Sequence, residues 1–503
     1  MRPKGNKLVK ILPAAALLVV IVVAAALAGP DPISQPVLDG CTRDRGAIFT
    51  HDVPNWVYVN DGDYAANDPL PPQQWAHGVA ESAYDPERSA HPTGVDDPFT
   101  HTSYDFIFNL DVPLEQGLLA GSAVEGTGNY AGKDEETARL HTERETATFP
   151  AWAWPTKGDY VAVRGNWVWD CDHAGPTGER TEIHPFHTIF VWRNPGGQSP
   201  NSPNGESEGD IFVTGASTPA DRQAECAHKT KGDRDAFKAC VAIPGALVDI
   251  RDYYPFFLQA PPRPSKSAKL VYRVVDKGSV NAPRLHVRFA GRVGIFISFT
   301  ITNSTVVAKQ VFLGWRPMPA KKLPIHLRTT FQELRVRRAM DPGCPLDNPK
   351  CKDRNETTRV GQYSKAPGEW NVYSDVGGVW SEWALLRPHD GQRIRTRRKV
   401  DFYVAPGKPW RLFVQTRECD FGSVGNAYSA SQTVWPCPRV NEIGNPIGDD
   451  EPGILVDHFR SPTTGLGTHH SNSRLDGSTC PKSNKHGCYA LTYSVRRISS
   501  PHR

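Results

Sequence analysis

Residues 165–192 read GNWVWDCDHAGPTGERTEIHPFHTIFVW. Two runs rich in aromatic and β-branched residues flank a Gly/Pro segment, which is the pattern of two strands joined by a hairpin turn. The first strand ends at Asp170, the turn carries His173, and Glu182, His184 and His187 open the second strand. Period-two geometry puts Trp167 and Trp169 on one face, a spacing that suits core packing better than a sugar platform. It also puts Glu182 and His184 on one face. His187 joins them only if a bulge follows Pro185, because an offset of three reverses the side.

Folding this hairpin brings Asp170 and His173 near Glu182 and His184. Imidazole nitrogens and carboxylate oxygens from one turn are the donors that a divalent metal such as zinc takes. The same residues also suit a plain His–Asp hydrogen-bonded pair that steadies the turn. Farther out, His101, Tyr104 and Asp105 of DPFTHTSYDFIF are candidates for a second wall of such a site.

Beyond the hairpin the strand reading continues. Tyr160–Val163, Leu285–Phe289, Gly294–Thr302 and Val306–Trp315 are short alternating or apolar runs between Gly, Pro, Asn and Asp clusters. Helical patterns are few, at Asp134–Arg144 and Pro219–Lys238. The segment 194–210, NPGGQSPNSPNGESEGD, is polar and Pro/Gly/Ser-rich and is expected to be an exposed loop. Residues 317–324, with prolines at both ends, read as a linker between an N-terminal β domain (29–316) and a C-terminal sandwich (325–503). The expected fold is therefore mainly β, as two antiparallel β domains, the first with a few short helices.

The chain opens with Arg2, Lys4, Lys7 and Lys10, an apolar run from Ile11 to Leu27, and small residues up to Ala28. This is the order of a secretory signal or short membrane anchor, so residues 1–28 predict export, with membrane contact only through this segment. Without them the charge falls from 58 − 54 = +4 to 54 − 54 = 0. A balanced chain lacks the basic excess that nucleic-acid binding needs. The local run Arg393, Arg395, Arg397, Arg398 and Lys399 reads as the solvated face of a strand.

Ten cysteines in an exported chain point to disulfides. By proximity the pairs are Cys226 with Cys240, Cys344 with Cys351, Cys419 with Cys437 and Cys480 with Cys488, leaving Cys41 and Cys171. Connectivity is not deducible from spacing, and other pairings stay open.

The Trp-flanked strand with Asp-x-x-His at 170–173 and Glu-Ile-His-Pro at 182–185 resembles a pattern in uncharacterised exported bacterial proteins. QVFLGW at 310–315 resembles the closing strand of that family. The resemblance implies that Asp170, His173, Glu182 and His184 form a unit, and it implies no reaction. Downstream, NEIGNPIGDDEPGILVD at 441–457, with Asp375 and Asp420 on other loops, resembles a C2-like sandwich. That resemblance would make Asp420, Asp449, Asp450 and Asp457 calcium ligands, although no strict calcium-loop spacing is present.

Nucleophile-elbow, phosphate-loop, dinucleotide and HExxH patterns are absent. Two functions remain from sequence. One is a non-enzymatic extracellular or envelope-associated protein that binds a ligand or envelope component. The other is a metal-dependent hydrolase in which Glu182 or Asp170 activates a metal-bound water.

Overall fold

The computed structural model describes residues 56–58, 73–81, 105–113, 138–145, 148–175, 178–195, 197–218, scattered positions of 221–243, 247–339, 370–383, 386–418, 450–473 and 488–499. The fold is mainly β, in several antiparallel sheets, as the alternation predicts.

The largest sheet contains β1 (Trp56–Tyr58), β2 (Gln74–Glu81), β3 (Asp105–Val112), β4 (Ala138–Glu145), β5 (Tyr160–Gly175), β6 (Gly178–Arg193) and β7 (Ser207–Thr214). Later in the chain β9 (Lys269–Asp276) and β12 (Val306–Arg316) join it, giving the order β1-β5-β2-β3-β4-β6-β7-β12-β9. Strands β5 and β6 also pair with each other, so the pairings of β5, β2, β3, β4 and β6 close on themselves. Alternate residues of this ring, among them Phe106, Phe108, Leu140, Val163, Trp167 and Ile183, form one buried core. On the outer side, Trp75, Phe190 and Ile211 pack against Tyr254 and Phe256 of a three-stranded sheet. That sheet comprises β8 (Asp252–Gln259), β10 (His286–Ala290) and β11 (Gly294–Ile301).

The described residues from 325 onward form two sheets. One holds β13 (Ile325–Val336), β16 (Arg393–Arg395), β17 (Lys399–Val404), β20 (Gly467–Asn472) and β21 (Tyr489–Arg497). The other holds β14 (Trp370–Val376), β15 (Val379–Glu382), β18 (Trp410–Glu418) and β19 (Asp450–Phe459). They face each other across Leu327, Phe331, Phe402, Trp370, Val372 and Leu412, which makes an antiparallel sandwich.

Every residue of β14 is buried, which alternation alone does not produce. One face of its sheet fills the sandwich core. The other, with Tyr373, Phe413 and Ile454, belongs to the core of the first sheet. Trp380 sits at the junction, its ring 5.5 Å from Phe106 and 5.6 Å from Trp154. Its indole N–H donates to the Pro155 carbonyl at 3.1 Å. The two halves thus share one aromatic core across the segment read as a linker.

Two local expectations are corrected. The stretch Asp134–Arg144, read as a helix, contains strand β4 over its described part. Its Glu, Arg and Ala content favours a helix in isolation, but pairing with β3 and β6 overrides that weak preference. The segment 194–210 is not an exposed loop: Ser199, Ser202, Glu206, Glu208 and Asp210 are buried, and β7 begins within it. Most of its buried carboxylates and two of its serines are paired rather than solvated. Ser202 Oγ donates to Glu206 at 2.6 Å, Gln310 Nε2 to Glu208 at 2.7 Å and Arg193 Nε to Asp210 at 2.7 Å.

The second helical reading, Pro219–Lys238, holds in part: Asp221, Arg222, Cys226, Lys229 and Ala236 are helical, as are Ala239 and Cys240 beyond its end, but Asp233 is not, and its Oδ1 accepts from the Ala236 N–H at 2.9 Å. Cys226 and Cys240 are bonded to each other. Cys488 is also disulfide-bonded, and no described cysteine is free. Cys41, Cys344, Cys351, Cys419, Cys437, Cys480 and the segment 1–28 lie outside the described residues, as does the Cys171 side chain. Among the described residues no helix is long and apolar enough to cross a membrane.

Candidate metal centre

The site grows from a parallel contact in an otherwise antiparallel sheet. Strands β4 and β6 pair in parallel with His141 opposite Glu182 and Thr142 opposite Ile183. Both strands carry a histidine and a glutamate two residues apart, His141-x-Glu143 and Glu182-x-His184. Parallel register sets these two motifs side by side. With Leu140, Thr142 and Ile183 turned inward, His141, Glu143, Glu182 and His184 project from the other face.

A backbone irregularity sustains this. Gly165 of β5 faces Phe186 and Trp167 faces Ile183, so β6 carries one residue more than β5 over that span. This bulge at His184–Pro185 returns Phe186 to the core face that Ile183 occupies. Gly165 is required there, since a Cβ on it would lie 2.4 Å from both the Pro185 oxygen and Phe186 Cα.

The donors are close. His184 Nδ1 lies 3.0 Å from Glu182 Oε1 and 3.4 Å from Glu143 Oε2. His141 Nε2 lies 2.5 Å from Glu143 Oε1. One ligand atom each from His141, Glu143 and Glu182 falls within 4.8 Å of the others. The opposite edge of the His141 ring is held by Asn109 of β3, with Nδ1 and Oδ1 2.8 Å apart. A carbonyl-type oxygen there accepts the Nδ1 proton and leaves the Nε2 lone pair facing the carboxylates. Three of the four are closed in, Glu182 and His184 at 2% and 1% exposed and Glu143 at 7%, while the His141 side chain is 16% exposed.

Of the sequence candidates, the structure brings Glu182 and His184 together and adds His141 and Glu143. Asp170 and His173 belong to β5, with Asp170 paired to Arg180, but their side chains lie outside the described residues. The same holds for the side chain of Asp105 and for His101 and Tyr104. His187 is separate from the cluster. Its Nε2 meets Asp221 Oδ1 at 2.9 Å and its Nδ1 lies 3.3 Å from the Thr214 carbonyl. The missed pair, His141 and Glu143, was visible as the same i, i+2 spacing as Glu182 and His184, hidden by the helical reading of the stretch.

The calcium expectation is corrected where the side chains are described. Asp457 lies inside β19, not on a loop, and its Oδ2 accepts hydrogen bonds from Tyr493 and Ser471, both at 2.5 Å. Asp375 is fully buried, with Oδ1 accepting from Gly378 N–H at 2.8 Å and Oδ2 facing Arg411 at 3.2 Å. Both carboxylates brace the sandwich. Asp420 and Asp449 and the Asp450 side chain lie outside the described residues. Trp167 is a core residue, 1% exposed.

No family model matches the chain, and no curated protein matches it. Solved structures similar to it include the first C2 domain of plant extended synaptotagmin 1, at 8% identity over 35% of this chain and 97% of that one, with a TM-score of 0.19. The SMP domain and two C2 domains of extended synaptotagmin 2 align at 8% identity over 84% of this chain and 89% of that one, with a TM-score of 0.18. A calcium-bound form of the same pair of C2 domains covers 86% of this chain and 98% of that one at 8% identity, with a TM-score of 0.16. At such TM-scores the likeness carries no argument, and the mainly β assignment rests on the strands themselves.

Proposed function

We propose that this chain is an exported binding protein of the β class that holds one divalent metal, of the zinc type, between His141, Glu143, Glu182 and His184. The observation that carries the reading is the convergence of ligand atoms of His141, Glu143 and Glu182 within 4.8 Å of one another, with His184 Nδ1 3.0 Å from Glu182 and 3.4 Å from Glu143, all but His141 buried. Mixed nitrogen and oxygen donors suit zinc among the common divalent ions. A cation would neutralise two glutamates that are costly to bury as neighbouring anions. The closed surroundings favour a structural metal, since a catalytic one keeps a position open to water and substrate. The basic, apolar and small-residue order of residues 1–28 supports export.

The test is elemental analysis of the protein purified from the extracytoplasmic fraction. About one zinc per chain is expected, falling below roughly a tenth in His141→Ala/Glu182→Gln. A metal-free wild-type protein that also fails to take up added zinc sinks the reading and leaves the four side chains as a hydrogen-bonded pair of His–Glu couples. So does full metal content in the folded double variant.

A further inference from the structure

The outer face of the five-stranded sheet is unusually basic, for a reason that its strand order makes plain. Of the arginine run, Arg393 and Arg395 lie in β16 and Lys399 opens β17, both of which pair with β13, while Arg397 and Arg398 lie in the segment between the strands, where Arg397 has a left-handed backbone with φ 54°. β13 and β21 then add cations to the same face. Register sets Arg335 directly opposite Arg393, and Arg328 directly opposite both Asp401 and Arg496. Like charges facing each other across strands are destabilising, so these cross-strand Arg pairs weaken the sheet unless an anion lies over them.

Among the described residues, carboxylates on the face are fewer than its cations. Asp401 is taken by Arg328 at 2.5 Å, and Glu333 stands 3.8 Å from Arg393. Arg335, Arg395, Arg397, Lys399 and Arg496 are exposed and make no ion pair among the described residues. Between the cations lies an open hollow of about 450 Å³, lined by Thr330, Gln332, Arg395, Arg397, His470 and Thr492, with Phe331 at its floor and one carboxylate, Glu333, which register sets opposite Arg395. That volume is in the range of small-ligand sites, ~300–1,000 Å³.

We propose that this face binds a linear anionic polysaccharide. Cations on neighbouring strands and on alternate residues of one strand are spaced by ~5 and ~7 Å, a grid that suits a polymer bearing one acidic group per sugar or two. Arg395, Arg397, Arg335 and Arg393 take the acidic groups, while the Thr330, Gln332 and Thr492 side chains meet hydroxyls. None of the exposed large apolar side chains lies on these five strands, so nothing on them enters a bilayer. The aromatic ring of this face, Tyr403, is covered by His326 at 4.6 Å, which denies single-stranded bases a stacking platform. The site is independent of the metal centre.

The probe is a size-defined heparin oligosaccharide titrated into the full chain, with dextran, duplex DNA and phosphatidylserine vesicles as competitors. Binding should weaken steeply with salt and fall on the order of 30-fold in Arg393→Glu/Arg395→Glu, while Lys266→Glu/Lys269→Glu, an equal charge change on the other half, alters it less than about threefold. Arg393→Gln/Arg395→Gln, which removes the repulsion without new charge, should lose an intermediate amount and unfold at no lower temperature than wild type. Equal losses in the face and control variants, or no loss in either, overturn the proposal. Competition by DNA or vesicles as effective as unlabelled heparin also overturns it.

Discussion

Glu143 Oε2 lies 3.4 Å from Nδ1 of His184, and the two side chains come from strands that run in parallel inside an antiparallel sheet. The contact depends on register. One residue of slip would turn either strand's polar pair into the ring core and bring Leu140, Thr142 or Ile183 out.

Asn109 should matter to metal affinity without touching the metal. It holds His141 Nδ1 at 2.8 Å and thereby fixes the ring and its tautomer. Asn109→Ala is expected to weaken zinc binding by about 10- to 100-fold, as other orienting partners do. Competition titration against a chelator of known affinity measures it, and an unchanged constant would contradict the geometry. Affinity should also fall on acidification below about pH 6, since an imidazole must shed its proton to bind metal.

Trp380 should couple the two halves. Its ring meets Phe106, Trp154 and Phe413, and its N–H satisfies the Pro155 carbonyl. Trp380→Ala is expected to cost ~3–5 kcal/mol from lost burial and the cavity left behind. Guanidinium unfolding followed by tryptophan fluorescence and by far-UV dichroism should then lose coincidence, as the sandwich and the first sheet separate.

Asp221 joins the helical segment to the sheet. Its Oδ1 meets His187 at 2.9 Å and Asn166 Nδ2 at 2.8 Å, while Oδ2 accepts from Thr218 N–H at 2.7 Å. Burial pushes its carboxyl up, but the His187 contact and the remaining hydrogen bonds outweigh that and hold it below the usual carboxylate range. A folded-state value below the unfolded one means that the stabilisation is present above about pH 4 and is lost as pH falls further. Asp221→Ala should cost about 2–4 kcal/mol at neutral pH and little in strong acid. Urea unfolding at pH 7 and pH 3 separates these cases.

Glu382 shows the opposite sign. Burial lifts its carboxyl to about 7, against a partial opposing pull from Arg398. The folded state therefore holds a proton that the unfolded chain releases near 4.5, and stability declines as pH rises from there to about 7. Glu382→Gln should unfold at the same denaturant concentration as wild type near pH 4. By pH 8 it should be more stable by ~1–2 kcal/mol, a figure reduced for the partial exposure of the group. A variant that tracks wild type at both pH values would show that the buried charge has no cost.

Strand content was legible because alternation is a local signal. The hairpin of β5 and β6 follows from GNWVWD and the run ending in HTIFVW, and the helical positions of 221–240 follow from a charged, Ala-rich stretch between two cysteines. The stretch ARLHTERE was misread because helix propensity is also local, while its strand state comes from neighbours on both sides. The segment 194–210 was misread because its serines pair with its own glutamates and its acids with Arg193 and Gln310, and composition does not report pairing.

The sequence by itself determined the mainly β class, the i, i+2 spacing that places Glu182 with His184, and the shared face of Arg393 and Arg395, because each depends only on the two-residue period of an extended backbone. The single strand face read for 393–399 breaks after Arg395, where residues 396–398 leave the strand and Arg397 turns left-handed. Only the tertiary structure decided that His141 and Glu143 complete the donor set, that Arg335 and Arg496 extend the basic face, and that Trp380 joins both halves in one core. These depend on which distant strands lie side by side and in what register, and register is set by the summed packing of the sheets.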